Sequence, residues 1–158
     1  MKNQQAEINN TNFNFGEAVA IAHITEVVGV YSELVAELAL LANGYIVSRP
    51  STAEVYDLKV EDPINGQEYK IQVKTIQVRE DRGNELVVRA KRKDGSPYRK
   101  SDVDYFVGVL VTDGEAPRVY MFENREITEY WASEERASKR WVELPITLDR
   151  SIYEKVAV

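Results

Sequence analysis

Apolar and polar positions repeat with two different periods along this chain. Within residues 26–42, Val27, Tyr31, Leu34, Leu38 and Leu41 recur at steps of four and three, which makes an apolar stripe along a helix. Thr25 is placed to N-cap that helix, and Asn43-Gly44 to stop it. Glu26, Glu33 and Glu37 run along the flank of the stripe. The stretch 13–25 is apolar but fits a short helix or a strand equally well.

After Gly44 the period shortens. Residues 55–60 and 69–78 read as two strands joined by a turn at Asn65-Gly66, a dipeptide that tolerates positive φ and favours hairpins. A further strand is expected at 85–90, followed by a turn at Asp94-Gly95-Ser96-Pro97. Residues 104–112 are apolar enough for a buried strand, and Asp113-Gly114 turns the chain into another at 118–122. Segments 127–131 and 134–140 read as short helices or loops, and 141–144 as a last short strand. The order predicts an α/β or α+β domain with a mixed β-sheet flanked by helices. Residues 1–12, rich in Asn and Gln, are expected to be a disordered arm, with 13–158 a single domain.

Composition narrows the chemistry. The absence of cysteine removes disulfides, thiolate zinc sites, iron–sulfur clusters and cysteine nucleophiles. One histidine, His23, is too few for a His-ligated zinc site and is read as an ordinary core or surface residue. Carboxylates, lysine and hydroxyls remain, and carboxylate oxygens favour Mg²⁺ or Mn²⁺. No apolar run is long enough to span a membrane, and no secretory signal is legible, so a soluble cytoplasmic protein is expected.

Charge is unevenly spread. Between positions 89 and 100, Arg89, Lys91, Arg92, Lys93, Arg99 and Lys100 face only Asp94, a local charge of +5 that leaves −11 for the rest of a chain whose net charge is −6. Such a loop is either a phosphate-binding patch, positioning DNA without reading sequence, or a solvated hairpin. Trp131 and Trp141 are expected to be core or oligomer contacts.

Period two also groups four polar residues. Gln72 and Lys74 are two apart and share a face, while Ile71, Val73 and Thr75 point the other way. If Asn65-Gly66 forms a two-residue turn, Asp57 falls opposite Lys74 and Lys59 opposite Gln72, so Asp57, Gln72 and Lys74 lie on one face. A one-residue slip would split them, and Pro63 weakens pairing near the turn. Together with Glu33 from the helix, they suit metal-assisted phosphodiester hydrolysis. Asp57 would be the main ligand, Gln72 a neutral second ligand, and Glu33 would reach the ion or its water. Lys74 would orient the water or offset charge on the phosphate. The expected pocket lies beneath the long helix.

The stretch SELVAELALLANGYIVSRPSTAEVYDLKV followed by YKIQVKT resembles the PD-(D/E)XK nuclease superfamily, most of all its group I intron homing endonuclease branch with a Gln-x-Lys motif. The helix glutamate matches Glu33, with Gly44-Tyr45 after it; the metal aspartate matches Asp57; the Gln-x-Lys strand matches Gln72-Val73-Lys74. The branch's later Tyr, Asp-aromatic-Phe and Val-Tyr positions match Tyr98, Asp104, Phe106 and Tyr120, over about residues 26–127. Tyr56 stands where the superfamily name has proline, and Gln72 replaces the usual acidic ligand. The resemblance implies a restriction-endonuclease-like core and a Mg²⁺- or Mn²⁺-dependent endonuclease, homing-type or resembling a junction resolvase. Its partner would be double-stranded or branched DNA. Two cuts imply a homodimer or higher symmetric homo-oligomer. It favours Glu33 over Glu37 for the helix carboxylate. The alternative is an inactive nuclease fold serving as a DNA-binding or protein-interaction module. A third reading, a nuclease acting on RNA or single strands, is weakened by the scarcity of aromatics in the basic loop.

Overall fold

The computed structural model describes residues 15–151 and 154; the arm expected at 1–12 lies outside the described residues. Its first element is α1 (Phe15–Ala42), a 28-residue helix that includes the ambiguous stretch after residue 14. Thr25 is therefore not an N-cap. It sits mid-helix, where its hydroxyl donates back to the Ile21 carbonyl, the local bond that lets threonine persist inside a helix. The stop is where the sequence puts it. Gly44 takes φ +90°, and the Tyr45 and Gly44 amides donate to the Leu40 and Leu41 carbonyls.

Among the described residues nine strands follow: β1 (Ile46–Ser48), β2 (Leu58–Glu61), β3 (Glu68–Thr75), β4 (Gln77–Arg79), β5 (Glu85–Arg89), β6 (Tyr105–Leu110), β7 (Arg118–Glu123), β8 (Glu129–Ala132) and β9 (Val142–Leu144). A short helix, α2 (Ala137–Arg140), precedes β9. They form a six-stranded sheet in the order β1-β2-β3-β6-β7-β9 and a three-stranded sheet in the order β4-β5-β8. The β3–β6 pair is parallel and the others are antiparallel. This is the mixed sheet with flanking helices that the sequence predicts. Among the described residues no helix is long and apolar enough to cross a membrane.

Three sequence readings are corrected. The strand expected over 69–78 changes sheets at Ile76, whose amide still bonds Val109 of the first sheet before β4 pairs with β5. Segment 127–131 contains the start of β8 rather than a helix or loop, because Tyr130 and Ala132 alternate inward with Trp131 outward. Segment 55–57 is irregular; β2 begins only at Leu58.

Each sheet face has its own core. Val35, Ala36, Ala39 and Leu40 of α1 pack on Leu58, Ile71, Val73, Val107 and Val119. Small residues at 36 and 39 bring the helix axis close to the strands, and the Ser32 hydroxyl reaches that of Thr75 at 2.7 Å. On the other face Phe106, Phe122, Tyr130 and Trp141 form an aromatic core, with Leu86 and Val88 from the second sheet. Gly108 of β6 faces this layer. A Cβ there would meet Ile76 Cγ1 at 3.1 Å and Val88 Cγ2 at 3.3 Å, so the missing side chain lets the two sheets close.

The stripe Val27, Tyr31, Leu34, Leu38, Leu41 is not the packed side of α1. All five side chains are exposed; the buried residues of α1 are Ser32, Val35, Ala36, Ala39, Leu40 and Ala42, all in its C-terminal half and off this stripe. The sheet is covered by the smaller residues because they allow the closer approach.

Candidate functional site

The β2–β3 register decides whether the polar group converges. Observed partners are Leu58 with Ile71, Lys59 with Lys70, Val60 with Tyr69 and Glu61 with Glu68. This is two residues away from the register expected for a two-residue turn. Pro63 has no amide to offer the ladder, so pairing ends with the Asp62 amide donating to the Gln67 carbonyl. The Asp62 carboxylate instead caps Ile64, and Gly66 takes φ +71°. Asp57 thus stands beside Gln72 rather than Lys74, its amide donating to Ile71. An even shift preserves side-chain parity, and Asp57 and Gln72 line one cleft of about 450 Å³.

The cleft is on the face away from α1, not beneath the helix. Ile71 and Val73 point to the helix-side core, while Gln72 pairs with Phe106 of the aromatic layer and Lys74 with Gly108. The cleft wall also includes Glu54, Val55, Tyr98 and, from the basic loop, Arg92 and Lys93. That loop is tied by a Lys91–Pro97 bridge and by bonds from the Arg92 amide to Ser96 and the Gly95 amide to Arg92. The structure therefore brings two of the six basic residues to the polar group; Arg89, Lys91, Arg99 and Lys100 are exposed outside the cleft lining.

Each polar residue has a distinct environment. Asp57 accepts the Val73 amide through Oδ2 at 2.8 Å. Burial pushes its carboxyl pKa above the ordinary value and nearby Glu33 adds to this, while the Val73 bond, Lys74 and Arg49 oppose it. Gln72 Oε1 is buried and accepts no hydrogen bond among the described residues. Lys74 Nζ lies 3.0 Å from the Tyr98 hydroxyl and 4.9 Å from the ring centroid. Glu33 sits at the margin. Its Oε2 is 3.4 Å from Arg49 Nη1, and the same guanidinium holds Glu37 at 2.6 Å.

These groups fit a hard divalent cation. An orphaned amide oxygen beside a desolvated carboxylate is costly unless something fills the gap between them. Among the described residues no group of three or more His, Cys, Asp or Glu side chains could hold an ion. One or two carboxylates suffice for Mg²⁺, which keeps several waters of its own.

Two residues escaped sequence reasoning. Arg49 follows β1 and its pairing with both helix glutamates has no periodic signal. Asn124 is fully buried and donates through Nδ2 to the Tyr98 and Val103 carbonyls, while its Oδ1 accepts the Glu126 amide. It thereby fixes the segment carrying Tyr98. A polar residue just after an apolar strand, followed by Glu126 at φ +57°, was the available clue. Replacing Asn124 by leucine should cost roughly 1–3 kcal/mol by stranding those groups, or about 2–12 °C in Tm. An unchanged thermal melt would show that the clamp is dispensable. Asp104 is structural: its carboxylate accepts the Lys70 amide at 2.7 Å and its own amide donates to Lys70. Tyr98 is buried against Phe106 and so does not stack on a ligand base from this position. Trp141 is core; Trp131 is partly exposed with the Arg140 guanidinium 5.1 Å from its ring.

A family model described as PD-(D/E)XK endonuclease matches residues 23–134. The chain belongs to this family. The match spans α1 from its middle, the Asp57 region, β3, the basic loop and the strands through β8, so this PD-(D/E)XK endonuclease carries the whole cleft within the family region. Among solved structures, that of the bacterial homing endonuclease I-Ssp6803I is similar, with 24% identity over 67% of this chain and 72% of that chain and a TM-score of 0.49. Comparison with curated proteins gives no match.

Proposed function

We propose that the protein is a divalent-cation-dependent DNA endonuclease whose active site is Asp57, Gln72 and Lys74, with Glu33 at its margin. The observation that carries this reading is the buried, unpartnered Oε1 of Gln72 next to the partly desolvated carboxylate of Asp57. Gln72 Oε1 and the Asp57 carboxylate would hold a Mg²⁺ or Mn²⁺ ion. When bound, such an ion neutralises charge on a scissile phosphate and lowers the pKa of an attacking water. Lys74 supplies a fixed ammonium, positioned by Tyr98, to orient that water or to offset charge as the phosphate becomes pentacovalent. Glu33, whose carboxylate is shared with Arg49 at 3.4 Å, would add a further carboxylate at the margin of the site. Arg92 and Lys93 hold flanking phosphates at the cleft wall. The Gln-x-Lys arrangement is the one expected of homing-type enzymes, and junction-resolvase-like cleavage uses the same chemistry.

The test is incubation with supercoiled plasmid, branched DNA and single strands in Mn²⁺, with Lys74→Ala alongside. The wild type should nick or linearise at least one substrate and the variant should not. Failure on every substrate would favour the alternative of an inactive fold that binds DNA or protein, a reading supported by the neutral Gln72. Equal cutting by both proteins would point to a contaminating nuclease or a different site.

The phosphate contacts have their own readout. In the Lys74→Ala background, converting Arg92 and Lys93 to alanine should lower the slope of log K against log salt by about 2. The loss should be similar for unrelated DNA sequences. An unaltered slope would move the phosphate path elsewhere.

A further inference from the structure

A second cleft, of about 790 Å³, lies on the outer side of the three-stranded sheet, apart from Asp57, Gln72 and Lys74. Its wall includes Trp131, Ser133, Glu135, Arg136, Lys139 and Arg140. Trp131 stands opposite Val87 in the β5–β8 ladder, and opposed residues share a face. Tyr130 and Ala132, on either side of it in the chain, turn inward to the aromatic core. Val87 is fully buried on that outer face, while Trp131 is 40% exposed. The Arg140 guanidinium lies 5.1 Å from the indole ring.

Charge and ring together select the occupant. Among the described residues Arg49, Arg79, Arg82 and Arg118 each pair with a carboxylate, whereas Arg136, Lys139 and Arg140 pair with none. Of the acids nearby, Glu85 is held by Arg82, and Glu134 faces Arg118 at 3.9 Å. Glu135 is left in the wall against three cations, on a chain whose net charge is −6. Cations without a carboxylate partner suit phosphate oxygens. A duplex would use the cations alone, because its bases are already stacked on one another. A strand without a partner also offers a free base face, and an aromatic ring among phosphate-binding cations is the general means of holding one. We propose that this cleft binds an unpaired DNA strand, with one base on Trp131 and its phosphates on Arg136 and Lys139.

The inference rests on the reading of the protein as a DNA endonuclease, and it narrows the substrate to DNA that carries an unpaired arm. β5 links the two clefts. It passes Trp131 at Val87 and leads into the loop that brings Arg92 to the Asp57 cleft. The five residues from Val87 to Arg92 span at most about 18 Å. About five nucleotides cover that distance at roughly 3.4 Å each, so one DNA molecule is long enough to occupy both clefts. The basic loop is poor in aromatics, and the ring that stacks comes from β8 instead.

The test measures binding by fluorescence anisotropy of labelled DNA in the Lys74→Ala background, so that no cutting intervenes. A blunt duplex is compared with the same duplex carrying a tail of about ten thymidines. The tailed form should bind about 5- to 150-fold more tightly, as one stacked base contributes. Trp131→Leu, which keeps an apolar side chain beside Val87, should erase that gain and leave the affinity for blunt duplex unchanged. Trp131→Phe should retain most of it. Arg136 and Lys139 are both exposed. Converting both to alanine should lower the salt slope for the tailed form by about 1.4 and leave that for the blunt form alone. Trp141 is buried, so quenching of tryptophan fluorescence by a thymidine oligonucleotide reports on Trp131. Equal affinity for blunt and tailed duplex, a gain untouched by Trp131→Leu, tighter binding of an RNA tail, or displacement of the tail by poly-glutamate of matching charge would overturn the proposal while the nuclease reading stands. Tail binding by a protein that cuts no substrate would remove the nuclease reading and keep the strand site.

Discussion

Replacing Lys74 by alanine is expected to slow DNA cleavage by about 10²–10⁴-fold while leaving DNA affinity and folding nearly intact. The side chain makes its polar contact with the Tyr98 hydroxyl, and its backbone stays in the parallel ladder opposite Gly108. Removing the ammonium therefore costs little packing. It takes away a β3 cation whose charge favours the ionised form of Asp57. Lys74→Arg should recover little, because a planar guanidinium cannot occupy the place of a compact ammonium above Tyr98. The measurement is a single-turnover cleavage rate in Mn²⁺, with equilibrium DNA binding and a thermal melt as controls. A rate within threefold of the wild type would remove Lys74 from the chemistry.

Asp57→Asn should abolish both cleavage and the stabilisation conferred by cations, yet raise the melting temperature of the metal-free protein by a few degrees. The pKa of Asp57 is raised mainly by burial and next by Glu33, against the Val73 hydrogen bond. A carboxyl whose folded pKa lies above its unfolded value favours the fold in its neutral form. Its contribution is full below the unfolded pKa and is lost as pH rises through the folded one, so at neutral pH the ionised group weighs against folding. Asparagine removes that burden and can still accept the Val73 amide, the usual stability gain at a functional position. In the wild type, Mn²⁺ at 100 times its Kd should add about 2.7 kcal/mol, or roughly 5–11 °C in Tm. Differential scanning calorimetry with and without Mn²⁺ on both proteins checks the pair of effects. An undiminished cation shift in Asp57→Asn would place the ion elsewhere.

The sequence was most legible where structure is local. The strands at 85–90, 104–112 and 118–122 are present because each is bounded by a Gly-containing turn, and 142–144 forms the last short strand after α2. The helix stop at Asn43-Gly44 is also correct. Residues 69–78 read as one strand because nothing local marks the switch at Ile76; the pairing partner changes there, not the backbone period. β8 is not legible in the sequence because a four-residue strand carries too few positions to outweigh its polar neighbours.

The sequence by itself determined which side chains share a face. Parity along a strand follows from the chain's covalent geometry, so Gln72 and Lys74 stayed together, and Asp57 joined Gln72 despite a register two residues off. Tertiary structure alone decided what that face looks toward. It turned the cleft away from α1, brought Arg92 and Lys93 to its wall, tied Glu33 and Glu37 to Arg49, and left the larger apolar stripe of the helix uncovered. Those outcomes depend on how closely two layers can approach, which is set by the volumes of residues far apart in sequence.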